Sequence, residues 1–139
     1  METKTLTILT QEQLVEKQTQ LYCNKLVLAM KLWHQRNGMP AEWETKYIYE
    51  TGRKYFKVFK VEEAFTSKNG VKHPSHTSVE AFIDSQTGDV FKPASYKKPA
   101  KGARFNLIDQ ISCQLLFQHI DPFGGHLYAN TKQNIYRGS

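Results

Sequence analysis

Just past residue 36 the chain changes its hydrophobic period, and that switch constrains its fold more than any other feature. Before it, Leu14, Leu21, Leu28 and Leu32 recur at helical spacing with Tyr22, Leu26, Ala29 and Trp33 beside them, which predicts one long amphipathic helix over 10–36. Thr10 and Gln13 make a capping-box pair at its start. Asn37-Gly38 supplies a C-cap, and Pro40 blocks continuation. The apolar arc widens toward the C-terminal half, so the Leu stripe reads as core or as a face between subunits. From Trp43 the segment WETKYIYETGRKYFKVFKVEEAF is aromatic and β-branched, with a turn at Glu50-Thr51-Gly52 between two strands. Ser67-Lys68-Asn69-Gly70 is a second turn. Ser78–Asp84 forms a third strand, Ser85–Gly88 turns the chain, and Asp89–Lys92 continues as a fourth.

One helix followed by four strands in meander order predicts an α+β fold, a helix laid on one face of an antiparallel sheet. In the third strand, alternation puts Val79, Ala81 and Ile83 on one face and Ser78, Glu80, Phe82 and Asp84 on the other. Phe82 is out of character on that polar face. A second helix is expected from Asn106 as N-cap, with Asp109 in its first turn and Ile108, Ile111, Leu115, Leu116 and Phe117 on its buried side. Asp121-Pro122 ends it, Gly124-Gly125 permits a tight turn, and HLYA is expected as a short edge strand.

At 139 residues the chain is expected to form one domain, ordered over about 10–129, with a loose polar tail over 130–139. Apolar residues at 40% and charged residues at 23% argue against wholesale disorder. No apolar run approaches the roughly 18 residues a membrane span needs. The stretch METKTLTILT lacks a basic segment leading into an apolar one, so a cytoplasmic protein is expected. Cys23 and Cys113 read as buried thiols of a reduced compartment.

The net charge is +6, and its placement is uneven. The stretch 91–105, FKPASYKKPAKGARF, holds Lys92, Lys97, Lys98, Lys101 and Arg104 without an acid. A focused positive field suits an anionic partner. Pro93 and Pro99 forbid regular structure there, which predicts an extended exposed loop. A helix N-terminus placed behind it would add unpaired amides and partial positive charge. Lys98, Lys101 and Arg104 precede that terminus, and Gly102 would permit close backbone approach. Arg104 can grip a phosphate bidentately, whereas lysines act as point charges. Tyr96, Phe91 and Phe82 are available to stack on a planar group. Asp109 weakens a pure phosphate site but can accept from a ribose hydroxyl or an adenine amine. With Ser95 and Lys92 of the same loop, Asn106 at the helix start and Arg53 at the first hairpin turn, these residues form the candidate ligand site.

Arg53, Lys54, Lys57 and Lys60 form a second basic cluster, but Lys54, Lys57 and Lys60 cannot share one strand face unless a bulge intervenes. The bland reading is a charged edge that resists aggregation. His73 and His76 flank a proline without further ligands, so no metal site is expected. His34, His119 and His126 look isolated. Glu62-Glu63 has no matched partner, and no nucleophile, zinc or nucleotide-loop motif occurs. A binder without enzymatic activity or a cofactor is therefore expected.

The strand end AFID, the turn TGDV, KPAS with its following aromatic, PAKGxRxNL at 99–107 and GGxLY at 124–128 resemble a family of small proteins from tailed bacteriophages, over roughly 47–129. In size, order of elements and basic aromatic residues the chain is also similar to phage anti-Thoeris sponges, helix-plus-sheet oligomers that sequester a cyclic ADP-ribose isomer or cyclic oligonucleotides. The resemblance implies a homo-oligomer in the host bacterial cytoplasm that binds an anionic nucleotide messenger. The alternatives are a nucleic-acid-binding accessory protein and an inhibitor that recognises a host protein; no membrane partner is expected.

Overall fold

The computed structural model describes residues 9–39 and 44–128. The expected tail over 130–139, Pro40, the strand start at Trp43 and Ala129 of HLYA lie outside the described residues. The elements are α1 (Gln11–Arg36), β1 (Thr45–Thr51), β2 (Tyr55–Glu62), β3 (Phe65–Thr66), β4 (Lys72–His73), β5 (His76–Asp84), β6 (Asp89–Phe91), β7 (Phe105–Asn106), α2 (Gln110–Gln118) and a 3-10 turn at Gly125–Leu127. The fold is α+β. The main sheet runs β1-β2-β5-β6-β7, with antiparallel neighbours throughout.

Helix α1 begins as its sequence dictates. The Thr10 hydroxyl accepts from the Gln13 amide and the Gln13 carboxamide accepts from the Thr10 amide, which satisfies two otherwise orphaned donors. The face it buries differs from the expected stripe. Val15, Thr19, Tyr22, Cys23, Leu26 and Met30 pack inward, while Leu21, Leu28 and Leu32 remain exposed. Two stripes compete on this helix, and the inward one carries Thr19 and Cys23, which hides it among apparently polar positions. The Thr19 hydroxyl is satisfied locally by the Val15 carbonyl at 2.8 Å. Tyr22 and Leu26 are fully buried against Phe56, Val58, Ala81, Ile83 and Val90 of the sheet. Each such large side chain contributes on the order of 1.5–3 kcal/mol.

The four-strand expectation misses two features. The Asn69-Gly70 turn closes a separate two-stranded ribbon, β3 with β4, between β2 and β5. A fifth strand, β7, occupies Phe105–Asn106, where a helix start was expected. Helix α2 begins at Gln110 with Asp109 as N-cap. Asn106 explains the delay. Its carboxamide nitrogen donates to the Thr87 carbonyl and the Asp89 carboxylate, and its carboxamide oxygen accepts from the amides of Ile108 and Asp109. One side chain thus ties the β5–β6 turn to the approach to α2. Gly88, in that turn at φ +81°, passes so close to Ile108 that a Cβ would lie 2.8 Å from its Cγ1. Ile111, expected inside, is 65% exposed. HLYA is not an edge strand: His126 and Leu127 are buried in the 3-10 turn.

Strand β5 carries a bulge. Val58 pairs with Ala81 but Phe59 pairs with Val79, so Glu80 has no opposite residue on β2. The expected alternation therefore breaks at Glu80. Ala81 and Ile83 enter the core, Val79 shares the outer face with Phe82, and Glu80 is 7% exposed, beneath the Gly124 turn. Its Oε2 has no hydrogen-bond partner among the described residues. Burial pushes the Glu80 carboxyl up to about 7 despite the opposing charge of Lys60, and Asp121 adds to the rise. Nearby, the His126 Nδ1 accepts from the Asp121 amide, so the Nε2 proton faces the Tyr22 hydroxyl 2.7 Å away. Burial lowers His126 to about 4, keeping it neutral.

Two predictions follow from these buried polar groups. A carboxyl raised from 4.5 to about 7 favours the folded state at low pH and loses that contribution as pH climbs through this window. Glu80→Gln should therefore stabilise the protein at pH 8 by about 3 kcal/mol more than at pH 4. Urea unfolding at the two pH values measures this, and a pH-independent difference contradicts it. Asn106→Ala removes four hydrogen bonds and strands their partners, and should cost about 3 kcal/mol or more; thermal unfolding within a degree of wild type would refute that role.

Candidate anion-binding face of the sheet

Inside the sheet, α1 covers Phe56, Val58, Ala81, Ile83 and Val90. The opposite face is built from the alternate positions. Across it the register aligns Glu50, Lys57, Phe82 and Phe91 in one row, and Ile48, Phe59 and Val79 in the next. The ladder of β6 with β7 ends at the Val90–Phe105 pair, and just before it the Arg104 amide donates to the Val90 carbonyl at 2.7 Å.

These residues form an aromatic plate with cations set into it. Tyr55 meets Phe82 and Phe91 edge-on, with ring centroids 5.8 and 6.1 Å apart. Phe59 lies 6.0 Å from Tyr96. The Lys57 ammonium sits at the centre, 3.8 Å from the Tyr96 ring centroid and 5.4 Å from those of Phe59 and Phe82. Phe59 and Phe82 are almost fully buried although neither belongs to the main core. Lys57 and the loop bearing Tyr96 shield them.

That loop is not extended. Pro93 and Pro99 face each other as a β-bridge, and the amides of Ala94 and Ser95 donate to the Lys98 carbonyl. The Ser95 hydroxyl accepts from the amides of Lys97 and Lys98. Each proline sits where no ladder amide is required, so the segment folds back as a short arm over the sheet. An open groove of about 340 Å³ runs under it, lined by Thr77, Ser78, Val79, Pro93, Ala94, Ser95 and Tyr96. Tyr96 remains 59% exposed.

The structure therefore brings Phe82, Ser95 and Tyr96 of the expected site, with Phe91, to this face and its arm. Arg104 lies where the arm rejoins the sheet, half-buried, and its Nε has no hydrogen-bond partner among the described residues. Lys98 and Lys101 are exposed, and Gly102 takes φ +89° with open space around it. Lys92 turns elsewhere, its ammonium 4.9 Å over the Tyr128 ring. Arg53 is exposed in the β1–β2 turn, its carbonyl accepting from the Ser85 hydroxyl. Asn106 is buried and its carboxamide is committed to the fold. Asp109 places a carboxylate at the start of α2, and the Asn106 oxygen occupies the amides of Ile108 and Asp109. The Asp109 side chain makes no capping hydrogen bond there, so it adds negative charge at that helix start without closing the first-turn amides.

Sequence reasoning missed Lys57, Phe59 and Tyr55. The signal was present in YFKVFK, where aromatics fall on both faces of β2, but it could not be read without the partner strand. Lys57 and Lys60 do fall on opposite faces: Lys60 pairs with Tyr47 and lies 4.6 Å from the Phe123 ring centroid. Among the described residues, no group of three or more His, Cys, Asp and Glu side chains could hold a metal, and no helix is long and apolar enough to cross a membrane. Burial raises the Cys113 thiol pKa and pushes Cys23 up to about 12, so neither is a ready nucleophile.

No curated protein and no solved structure matches the chain. A model of a family of unknown function, DUF7717, matches residues 2–129, and the chain belongs to that family.

Proposed function

We propose that this protein is a non-enzymatic binder of an anionic, planar ligand of the nucleotide type, held on the outer face of the sheet beneath the 92–104 arm. The observation that carries the reading is the Arg104 side chain, half-buried where the 92–104 arm rejoins the sheet, with an Nε donor that no group among the described residues accepts. Leaving such a donor unmet costs about 1–3 kcal/mol, and more for a charged group. A phosphate supplies the missing acceptor and pairs well with a guanidinium. Tyr96, on the arm and more than half exposed, gives a ring for a base to stack on. Lys57 adds charge, and exposed Lys97, Lys98 and Lys101 draw an anion toward the groove.

Holding a messenger without converting it is sequestration, which agrees with the likeness to phage anti-Thoeris sponges. The protein then acts in the cytoplasm of the infected bacterium. Binding along a nucleic-acid backbone is the second reading, favoured by the row of lysines on the arm.

Isothermal titration with cyclic ADP-ribose and with a 12-nucleotide single strand tests both. Arg104→Ala should weaken cyclic ADP-ribose binding by about 1.5–3 kcal/mol, and Tyr96→Ala by about 1–3 kcal/mol with an unchanged melting temperature. The log–log salt slope should be shallow, reflecting one or two phosphates. A steep slope with the oligonucleotide, near −0.7 per neutralised phosphate, selects the nucleic-acid reading. Binding of neither probe overturns both.

A further inference from the structure

On the other side of the molecule, α1 carries a second surface that the ligand face does not use. We infer that the outward face of α1 is a docking site for an acidic amphipathic helix of another protein. Leu14, Leu21 and Leu28 are seven residues apart and Leu32 follows four later, so at 100° per residue they form one row pointing away from the sheet. Leu21, Leu28 and Leu32 are 39, 56 and 50% exposed. A row of apolar anchors along one helix face is a known mode of helix recognition.

Charge chooses the occupant. Lys17 and Lys31 flank the row on one side, and Lys25 flanks it on the other, leaning 5.7 Å over Phe117 of α2. Both acids of α1 are spent toward the sheet side: Glu12 accepts from Gln86, and Glu16 accepts from the Tyr49 hydroxyl. Within α1 the Leu row therefore has three lysines and no acid along its borders. A second copy of this helix would set lysine against lysine in either orientation, and such like-charge flanks discriminate against self-pairing. A helix with a leucine row bordered by Asp and Glu satisfies both the apolar and the charged parts.

The test uses the full chain and two designed 21-residue helical peptides with the same leucine row, one flanked by Glu and one by Lys. Fluorescence anisotropy should show the Glu-flanked peptide binding at least 10-fold more tightly, with affinity falling as salt rises. Leu28→Asp should weaken it at least 10-fold; that position is exposed, and circular dichroism checks that the fold is kept. Lys17→Glu with Lys31→Glu should reverse the peptide preference, a readout that survives even if Leu28→Asp unfolds. Equal binding of the two peptides, or binding of neither, overturns the proposal. So does sedimentation of the protein as a dimer that Leu28→Asp dissolves, which assigns the face to a second copy, or Leu28-dependent binding to vesicles containing phosphatidylglycerol.

Discussion

The extra residue in β5 decides how this protein divides its two faces. Without the bulge at Glu80, Val79 would share the core face with Ala81 and Ile83, as plain alternation expects. With it, the first half of β5 changes sides. Val79 joins Phe59 and Phe82 outside, and a carboxylate is pulled under the Gly124 turn. The outward placement of Val79 beside Phe59 and the buried Glu80 are two consequences of one inserted residue. Tolerance of the buried acid rests on its raised proton affinity, on Lys60 nearby and on the absence of a Cβ at Gly124.

The outer face then resolves an otherwise awkward composition. Aromatic residues on both sides of β2 would normally call for a second layer of structure over the sheet. Here the cover is the folded arm 92–99 together with the Lys57 side chain, whose ammonium lies over Tyr96. Such a cover is thin, and it leaves an open groove beneath it, which is the space the proposed ligand would take. The opposite side of the molecule is closed by α1, whose inward row is fully packed and whose outward row bears leucine between lysines. The two surfaces lie on opposite sides of the sheet, so a ligand and a protein partner could be held together without competing.

Much of this was legible in the sequence and some was not, for identifiable reasons. The capping box at Thr10, the end of the helix at Asn37 and the order of strands follow from local rules, and the structure keeps them. The buried stripe of α1 was misread because the exposed leucines are more hydrophobic than the buried Thr19 and Cys23; burial followed the geometry of the sheet instead. The start of α2 was misplaced because Asn106 has the chemistry of an N-cap, yet spends its side chain on Thr87 and Asp89 across a long sequence separation. Of the site, Phe82, Tyr96 and Arg104 were visible as residues of the right type near a basic stretch. Lys57 and Phe59 were not: which residues of β5 they face is set by long-range register, and for Phe59 also by a bulge that no local pattern announces.

The most direct test of the outer face as the ligand site is an amide NMR titration with cyclic ADP-ribose. The account predicts shifts concentrated at Lys57, Phe82, Ser95, Tyr96 and Arg104, with the Asn106–Ser112 stretch nearly still. Perturbation confined to Asn106–Ser112, or none anywhere at saturating ligand, would contradict it.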